Sequence, residues 1–363
     1  MQSDLQLNTD RPVDDSSLSA RWLEHRRFDR KRRMLVAALA LIAVCAGLLD
    51  VFTGPAALNP LQILQGLFDP DALTRPMQVV LWQVRLPVAL LALFVGAALA
   101  LAGAEMQTIL HNPLAEPFTL GVSSSAALGA ALAIVWDWDV VGVDPTWLVP
   151  ANAFIFALGS LLLLHLLTHW RGANAQTLVL FGIAIGFAAG AFLSLLQFVA
   201  SEDALQQLVF WNMGSLARAD WPSVATLAGV MAVTLPFSWR AASQLTSLRL
   251  GEERARSFGI DVISLRRWAL VRASLLAATA VAFVGTVGFI GLVGPHVARM
   301  LVGDSHRYLL PASVLVGSAL MALASVVSKV LINGVLLPIG IVTALVGLPV
   351  FMGLTLRRRG GRA

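Results

Sequence analysis

Eight stretches of this sequence run for about 20 residues with almost no charge: Met34–Thr53, Leu86–Ala104, Phe118–Trp136, Trp147–Trp170, Gln176–Ala200, Trp221–Trp239, Tyr308–Ser328 and Leu336–Leu356. A helix of about 20 apolar residues crosses roughly 30 Å of hydrocarbon, so each can span a bilayer. A ninth stretch, Ala273–Val302, would make a single helix of about 45 Å, too long for one comfortable crossing. It carries Gly285, Gly288, Gly291, Gly294 and Pro295, natural points at which to break it. Splitting it near Gly285–Gly288 gives ten crossings and an all-α polytopic membrane protein. Composition agrees, with 57% apolar and 13% charged residues against about 25% charge in a soluble domain. There are too few charges to clothe a globular surface, and the net charge of +5 reads as membrane orientation, not nucleic-acid binding.

The charges fix the direction. Residues 1–33 form a polar tail with eight basic residues, Arg11, Arg21, Arg26, Arg27, Arg30, Lys31, Arg32 and Arg33, and no apolar run precedes them as a secretory signal would require. Residues 357–363 form a second basic tail. Basic residues stay in the cytoplasm, so both termini are expected there, which demands an even number of crossings. Of the 26 lysines and arginines, ten crossings leave only Arg75, Arg85, Arg218 and Lys329 outside. The domain organisation is therefore a tail (1–33), a ten-helix transmembrane domain (34–356) and a tail (357–363).

Several chemistries are disfavoured. A single cysteine, Cys45, allows no disulfide framework and no cysteine metal site. Ser123, Ser124 and Ser125 follow Gly121 without the Gly-x-Ser-x-Gly elbow of a serine hydrolase. Fixed charges are scarce in mid-span, Glu105 and Arg299 lying at helix ends, whereas ion-coupled carriers place such groups at the midplane. No Gly-x-x-x-x-Gly-Lys-Ser/Thr phosphate loop is present. The chain reads as a transport subunit and not as an enzyme, with no cofactor of its own.

Two regions invite a sharper reading. The segment 240–272 is the longest cytoplasmic connection and contains Leu250-Gly251-Glu252-Glu253-Arg254-Ala255-Arg256-Ser257-Phe258-Gly259. Glu252, Ala255 and Arg256 share one face of a short helix that Gly259 is placed to cap. Leu205–Trp221 is too polar to span and too apolar for a free loop, which suggests a short helix at a pore mouth.

Four stretches, in order, resemble the FecCD/BtuC-type permeases of ABC importers for iron–siderophores, heme and cobalamin. They are Arg85-Leu86-Pro87; Gln107 to Ser124 (QTILHNPLAEPFTLGVSS); the Gly-Glu-Glu-Arg-Ala-Arg-Ser-Phe-Gly loop; and Gly288 to Arg307 (GFIGLVGPHVARMLVGDSHR), closing with Leu337-Pro338-Ile339-Gly340 and Gly347-Leu348-Pro349-Val350-Phe351. The resemblance implies a type II importer permease in the inner membrane, paired with a second copy or close paralogue. It implies two cytoplasmic ATPase subunits that bind ATP and Mg, and a periplasmic substrate-binding protein. Its leading cargo is an iron(III)-siderophore, with heme next and cobalamin or an oxyanion behind; a secondary carrier is the alternative from another class. It further implies ATPase coupling through Gly251, Glu252, Glu253, Arg254, Ala255 and Gly259, and docking of the binding protein at Arg85 and Lys329, with Arg218 as a substitute. For the pathway, the i, i+4 spacing of Gly182, Gly186 and Gly190 leaves one helix face without side-chain bulk, which would line the wall or else let helices pack within one subunit, and Phe210, Trp211 and Met213 would form the outer lip. Asn174, Ala175 and Gln176 would form the inner constriction. Three positions depart from the family pattern: Val88 and Ser325 replace an Arg and an Asp, and Leu336 replaces a Glu.

Overall fold

In lipid a backbone can pair its polar groups only within itself or against other protein, so a chain of long apolar runs becomes helical almost throughout. The computed structural model describes residues 15–54, 58–136, 144–171, 175–332 and 334–357, and no strand occurs among them. In chain order the helices are α1 (Asp15–Phe52), α2 (Pro60–Phe68), α3 (Arg75–Val79), α4 (Leu86–Ile109), α5 (Val122–Trp136), α6 (Pro145–Arg171), α7 (Ala175–Val199) and α8 (Glu202–Asn212). There follow α9 (Trp221–Arg240), α10 (Ala242–Leu248), α11 (Glu252–Ser257), α12 (Val262–Val284), α13 (Ile290–Val302), α14 (His306–Val330) and α15 (Ile339–Arg357). Among the described residues, seven segments are long and apolar enough to cross a membrane: Phe28–Phe52, Arg75–Ile109, Thr146–Leu167, Gln176–Val199, Trp221–Arg240, Val262–Val284 and His306–Val330. Shorter apolar helices, Val122–Trp136, Ile290–Val302 and Ile339–Pro349, lie where the other three expected crossings fall.

The long ninth stretch does break where its glycines predict. α12 ends at Val284, Gly285 and Phe289 adopt φ of 80° and 70°, and α13 starts at Ile290. Pro295 does not break the chain again. The Gly291 carbonyl that Pro295 leaves without its helical partner lies against Gly103 of α4, where no side chain intervenes. Other boundaries move. α12 begins at Val262, so the last third of the predicted 240–272 loop is already helix, and α10 and α11 occupy much of the rest. α1 carries its helix back to Asp15, into the basic tail. A single π turn, Val80–Arg85, joins α3 to α4, with the Leu86 N–H reaching Leu81 O. Pro87 supplies the cause, since it has no N–H to donate and its ring crowds the preceding turn.

α4 is the axis of the bundle. Its apolar window is 78% buried, against 17% for that of α7. α14, α12 and α13 surround it, while α1, α6, α7 and α9 form the perimeter. Lipid supplies no hydrophobic drive between helices, so contact depends on close backbone approach. Gly96 of α4 and Gly317 of α14 provide it: a Cβ on either would strike the carbonyl of the other.

Candidate functional site

At one end of the bundle the sequence builds a small capped helix. Gly251 enters α11 with φ of 117°, and Gly259 leaves it with φ of 78°. The Gly259 N–H donates to Arg256 O at 2.9 Å and the Ile260 N–H to Ala255 O at 3.1 Å, the paired bonds of a Schellman cap. This is the capping role predicted for Gly259. Glu252 accepts from Arg256 at 2.7 Å and pairs with Arg266 of α12 at 3.4 Å. Arg266 in turn donates to Ile109 O at the end of α4, at 3.0 Å. Ala255 is fully buried and seats α11 on the bundle, so it does not present a surface to a partner as a residue of the coupling face would. The outward face is formed by Glu253, Arg254 and two exposed apolar groups outside the predicted set, Leu250 and Phe258.

Directly above this helix lies a polar node that reading along the sequence does not find. The Asp304 carboxylate pairs with Arg249 at 2.9 Å and with Arg299 at 3.2 Å. Arg299 donates to Gln107 Oε1 at 3.0 Å, and Gln107 Nε2 to Leu292 O at 3.3 Å. The buried His306 lies between two hydroxyls, with Nε2 at 2.7 Å from Thr108 Oγ1 and Nδ1 at 3.2 Å from Thr246 Oγ1. Nearby, Arg272 donates to both Glu105 oxygens, at 3.0 and 3.1 Å, in a buried pair. Glu116 belongs to the same Gln107–Ser124 motif. Burial pushes its carboxyl up to about 7, opposed by a hydrogen bond from the Phe289 N–H at the start of α13.

At the opposite end, the α8–α9 link, the α12–α13 break and α15 meet backbone to backbone. Ser215 N–H donates to Val284 O at 2.7 Å, Ile339 N–H to Gly214 O and Gly340 N–H to Met213 O, both at 3.0 Å. A Cβ at Gly214, Gly285 or Gly340 would collide with carbonyl oxygens of this junction. Beside it opens a cavity of about 750 Å³ whose lining includes Phe210, Trp211, Trp147, Phe283 and Arg218. Phe210 is exposed, whereas Trp211 is buried in the junction, and Met213 contributes its carbonyl to it; of the predicted lip only Phe210 stands free as an edge.

Two of the predicted assignments need correction here. Arg85 and Lys329 are not rim charges waiting for a partner. Arg85 is 4% exposed and donates to Val51 O and Phe52 O at the end of α1, at 3.1 and 3.3 Å. Lys329 pairs at 2.8 Å with the fully buried Asp50 of α1. Both cations cap the orphan carbonyls and carboxylate of α1, so their geometry is that of struts. Asp50 also supplies from α1 the carboxylate that Ser325 removes from α14. Arg218, the substitute, is exposed.

The wall is corrected as well. A Cβ on Gly182 would strike Leu120, and one on Gly186 would press against Gly121, so these two glycines let α7 pack on the turn before α5 inside the same subunit. Only Gly190 faces open space. The uncovered face of α7 is bulky and apolar, with Ile183, Phe187 and Phe198 exposed. Gln176 is exposed in the first turn of α7, Ala175 is that helix's first residue, and Asn174 lies outside the described residues.

Comparison with known proteins bears on this arrangement as a whole. The family profile described as the FecCD transport family matches residues 39–357. The hemin transport system permease protein HmuU of Yersinia pestis is 37% identical over 280 residues, 77% of this chain and 84% of the relative. The vitamin B12 import system permease protein BtuC of Klebsiella pneumoniae is 34% identical over 351 residues, 95% of this chain and 99% of the relative. A transporter assigned to the metal-chelate type of ABC transporter, solved in an inward-facing conformation, superposes with a TM-score of 0.79 at 31% identity. That likeness covers 90% of this chain and 99% of the other.

Proposed function

The chain belongs to the FecCD transport family, and from that premise we propose that it is the membrane-spanning half of an importer that takes up an iron(III)-siderophore. The coarse activity is that of an ABC importer permease, a multi-pass membrane protein. The observation that carries it is the near-complete alignment with BtuC, 95% of one chain against 99% of the other. Two copies, or this chain and a close paralogue, would enclose the pathway in the inner membrane with both termini in the cytoplasm. Two ATPase subunits binding ATP and Mg would sit below them, and a periplasmic binding protein would deliver cargo from above. ATP chemistry then belongs to the partner, and this subunit carries none.

In this reading α11 seats in a cleft of the ATPase. Glu253, Arg254 and the exposed Leu250 and Phe258 make the contact, while Gly251, Glu252, Ala255 and Gly259 hold the helix in shape. The metal-chelate assignment of the similar solved transporter supports a chelated metal as cargo. Heme is the second reading, favoured by the likeness to HmuU. The test is uptake by proteoliposomes holding this chain with the ATPase and binding protein encoded beside it. Radioiron-labelled ferric siderophore should enter with ATP and not without it, and hemin or cobalamin in excess should not compete. ATP-driven uptake of hemin alone would replace the first cargo by the second. Uptake that persists without the ATPase would point to a secondary carrier.

A further inference from the structure

We propose that two polar chains carry the displacement of the cytoplasmic helices α10 and α11 into α13 and α4, with Asp304 as the joint of the first chain; the inference rests on the permease reading above. The first chain starts at Arg249, directly after α10, and passes through Asp304 to Arg299, Gln107 and the carbonyl of Leu292. Arg299 lies in the last turn of α13 and Leu292 in its first, so Gln107 of α4 and its partners grip that short helix near both ends. The second chain runs from Thr246 of α10 through His306 at the start of α14 to Thr108 of α4. The His306 N–H also donates to Thr246 Oγ1 at 2.9 Å.

Apolar packing in a membrane resists sliding poorly, because one apolar surface exchanges for another at little cost. Directional bonds in a low-dielectric interior do resist it, and they fix relative position. α10 has seven residues, too few to tie it firmly by packing alone, whereas α13 is packed on α4 and α14, so what the polar chains supply is the link between the two. The only carboxylate in the first chain is shared by guanidinium groups from two different elements, so a shift of Arg249 must alter how Asp304 holds Arg299. The residues of both chains are positioning residues, each acting through the next. Asp304 is the best point of attack because its own side chain is 57% exposed, and the buried Arg299 keeps its hydrogen bond to Gln107 when that carboxylate is removed.

The test uses the whole transporter in proteoliposomes, with Cys45 replaced and one nitroxide label on each permease copy. A label at Glu253 reports the input and a label at Met300, exposed on α13, the output. Distances between the two copies are measured without nucleotide and with AMP-PNP and Mg. In the otherwise unaltered protein both labels should respond. In Arg249→Ala and Asp304→Ala the response at Glu253 should persist, that at Met300 should be lost, and ATP hydrolysis should continue. Asp304→Glu should restore the Met300 response, and the double Arg249→Ala/Asp304→Ala should be no worse than Asp304→Ala, since both cut one chain. An undiminished Met300 response in both single variants overturns the inference. Silence at Glu253 in the unaltered protein, with nucleotide bound, overturns the permease reading and this inference with it.

Discussion

Replacing Glu116 by Gln should make this protein more stable at pH 8 and remove a pH dependence that the native chain carries. The carboxyl sits buried between the turn before α5 and the start of α13, with one oxygen, Oε2, lacking a hydrogen-bond partner. Burial raises its pKa from an ordinary 4.5 to about 7. An acid whose pKa is raised on folding binds its proton more tightly folded than unfolded. The folded state is therefore unpenalised below pH 4.5, loses stability as pH climbs from there through 7, and stays penalised above. At about 1.4 kcal/mol per pH unit, the full penalty is about 3 kcal/mol. Gln keeps the shape and an acceptor for the Phe289 N–H while removing the charge. Thermal unfolding of purified protein in detergent, followed from pH 5 to pH 8, reads the effect. The midpoint of the native chain should fall across that range relative to Glu116→Gln, with the difference smallest at pH 5. Parallel curves, or a native chain that gains on the variant as pH rises, would refute the reasoning.

Other expectations follow from single features. Arg272→Met strands the buried Glu105 carboxylate and should cost about 3–5 kcal/mol of stability, most of it recovered in Glu105→Leu/Arg272→Met; thermal unfolding of the four proteins decides, and additive losses would deny the pair. Gly259→Val forces a β-branched residue to φ of 78°, at about 1–3 kcal/mol, so α11 should lose its cap and uptake per ATP should fall while membrane insertion persists. After Cys45 is replaced, cysteine at Ile183 or Phe187 should react with a water-soluble maleimide in at least one nucleotide state. Cysteine at Gly182 should be protected throughout and lower the unfolding temperature, and reactivity there would reinstate the glycine face as the pathway wall.

Much of the fold is written in the local pattern. Apolar runs of bilayer length mark the crossings, Gly285 and Gly288 mark the break before α13, and Gly259 marks the cap of α11, because each depends on residues only a few positions apart. The polar node is invisible on that scale. Glu105 finds Arg272, Gln107 finds Arg299 and Asp50 finds Lys329 across 167, 192 and 279 positions, and no periodicity encodes such pairings. Arg85 and Lys329 look like outward charges because the sequence shows their depth but not that α1 ends beside them. The glycines of α7 are ambiguous for another reason: a face without side chains serves equally for packing and for lining, and only the position of Leu120 and Gly121 separates the two.

The placing of the short helix α13 inside a bundle of long ones has a bearing on its lipid. Residues 290–302 of α13 cover only about 20 Å, well short of the hydrocarbon thickness, yet α13 is packed behind α4 and α14. A bilayer that thickens or thins pulls chiefly on α1, α6, α7 and α9, whose apolar flanks face outward. The helices that carry the polar node are held apart from that strain. Lecithins of different acyl length should therefore alter how readily the protein assembles and survives heating, and leave the nucleotide-driven cycle of the assembled transporter close to constant.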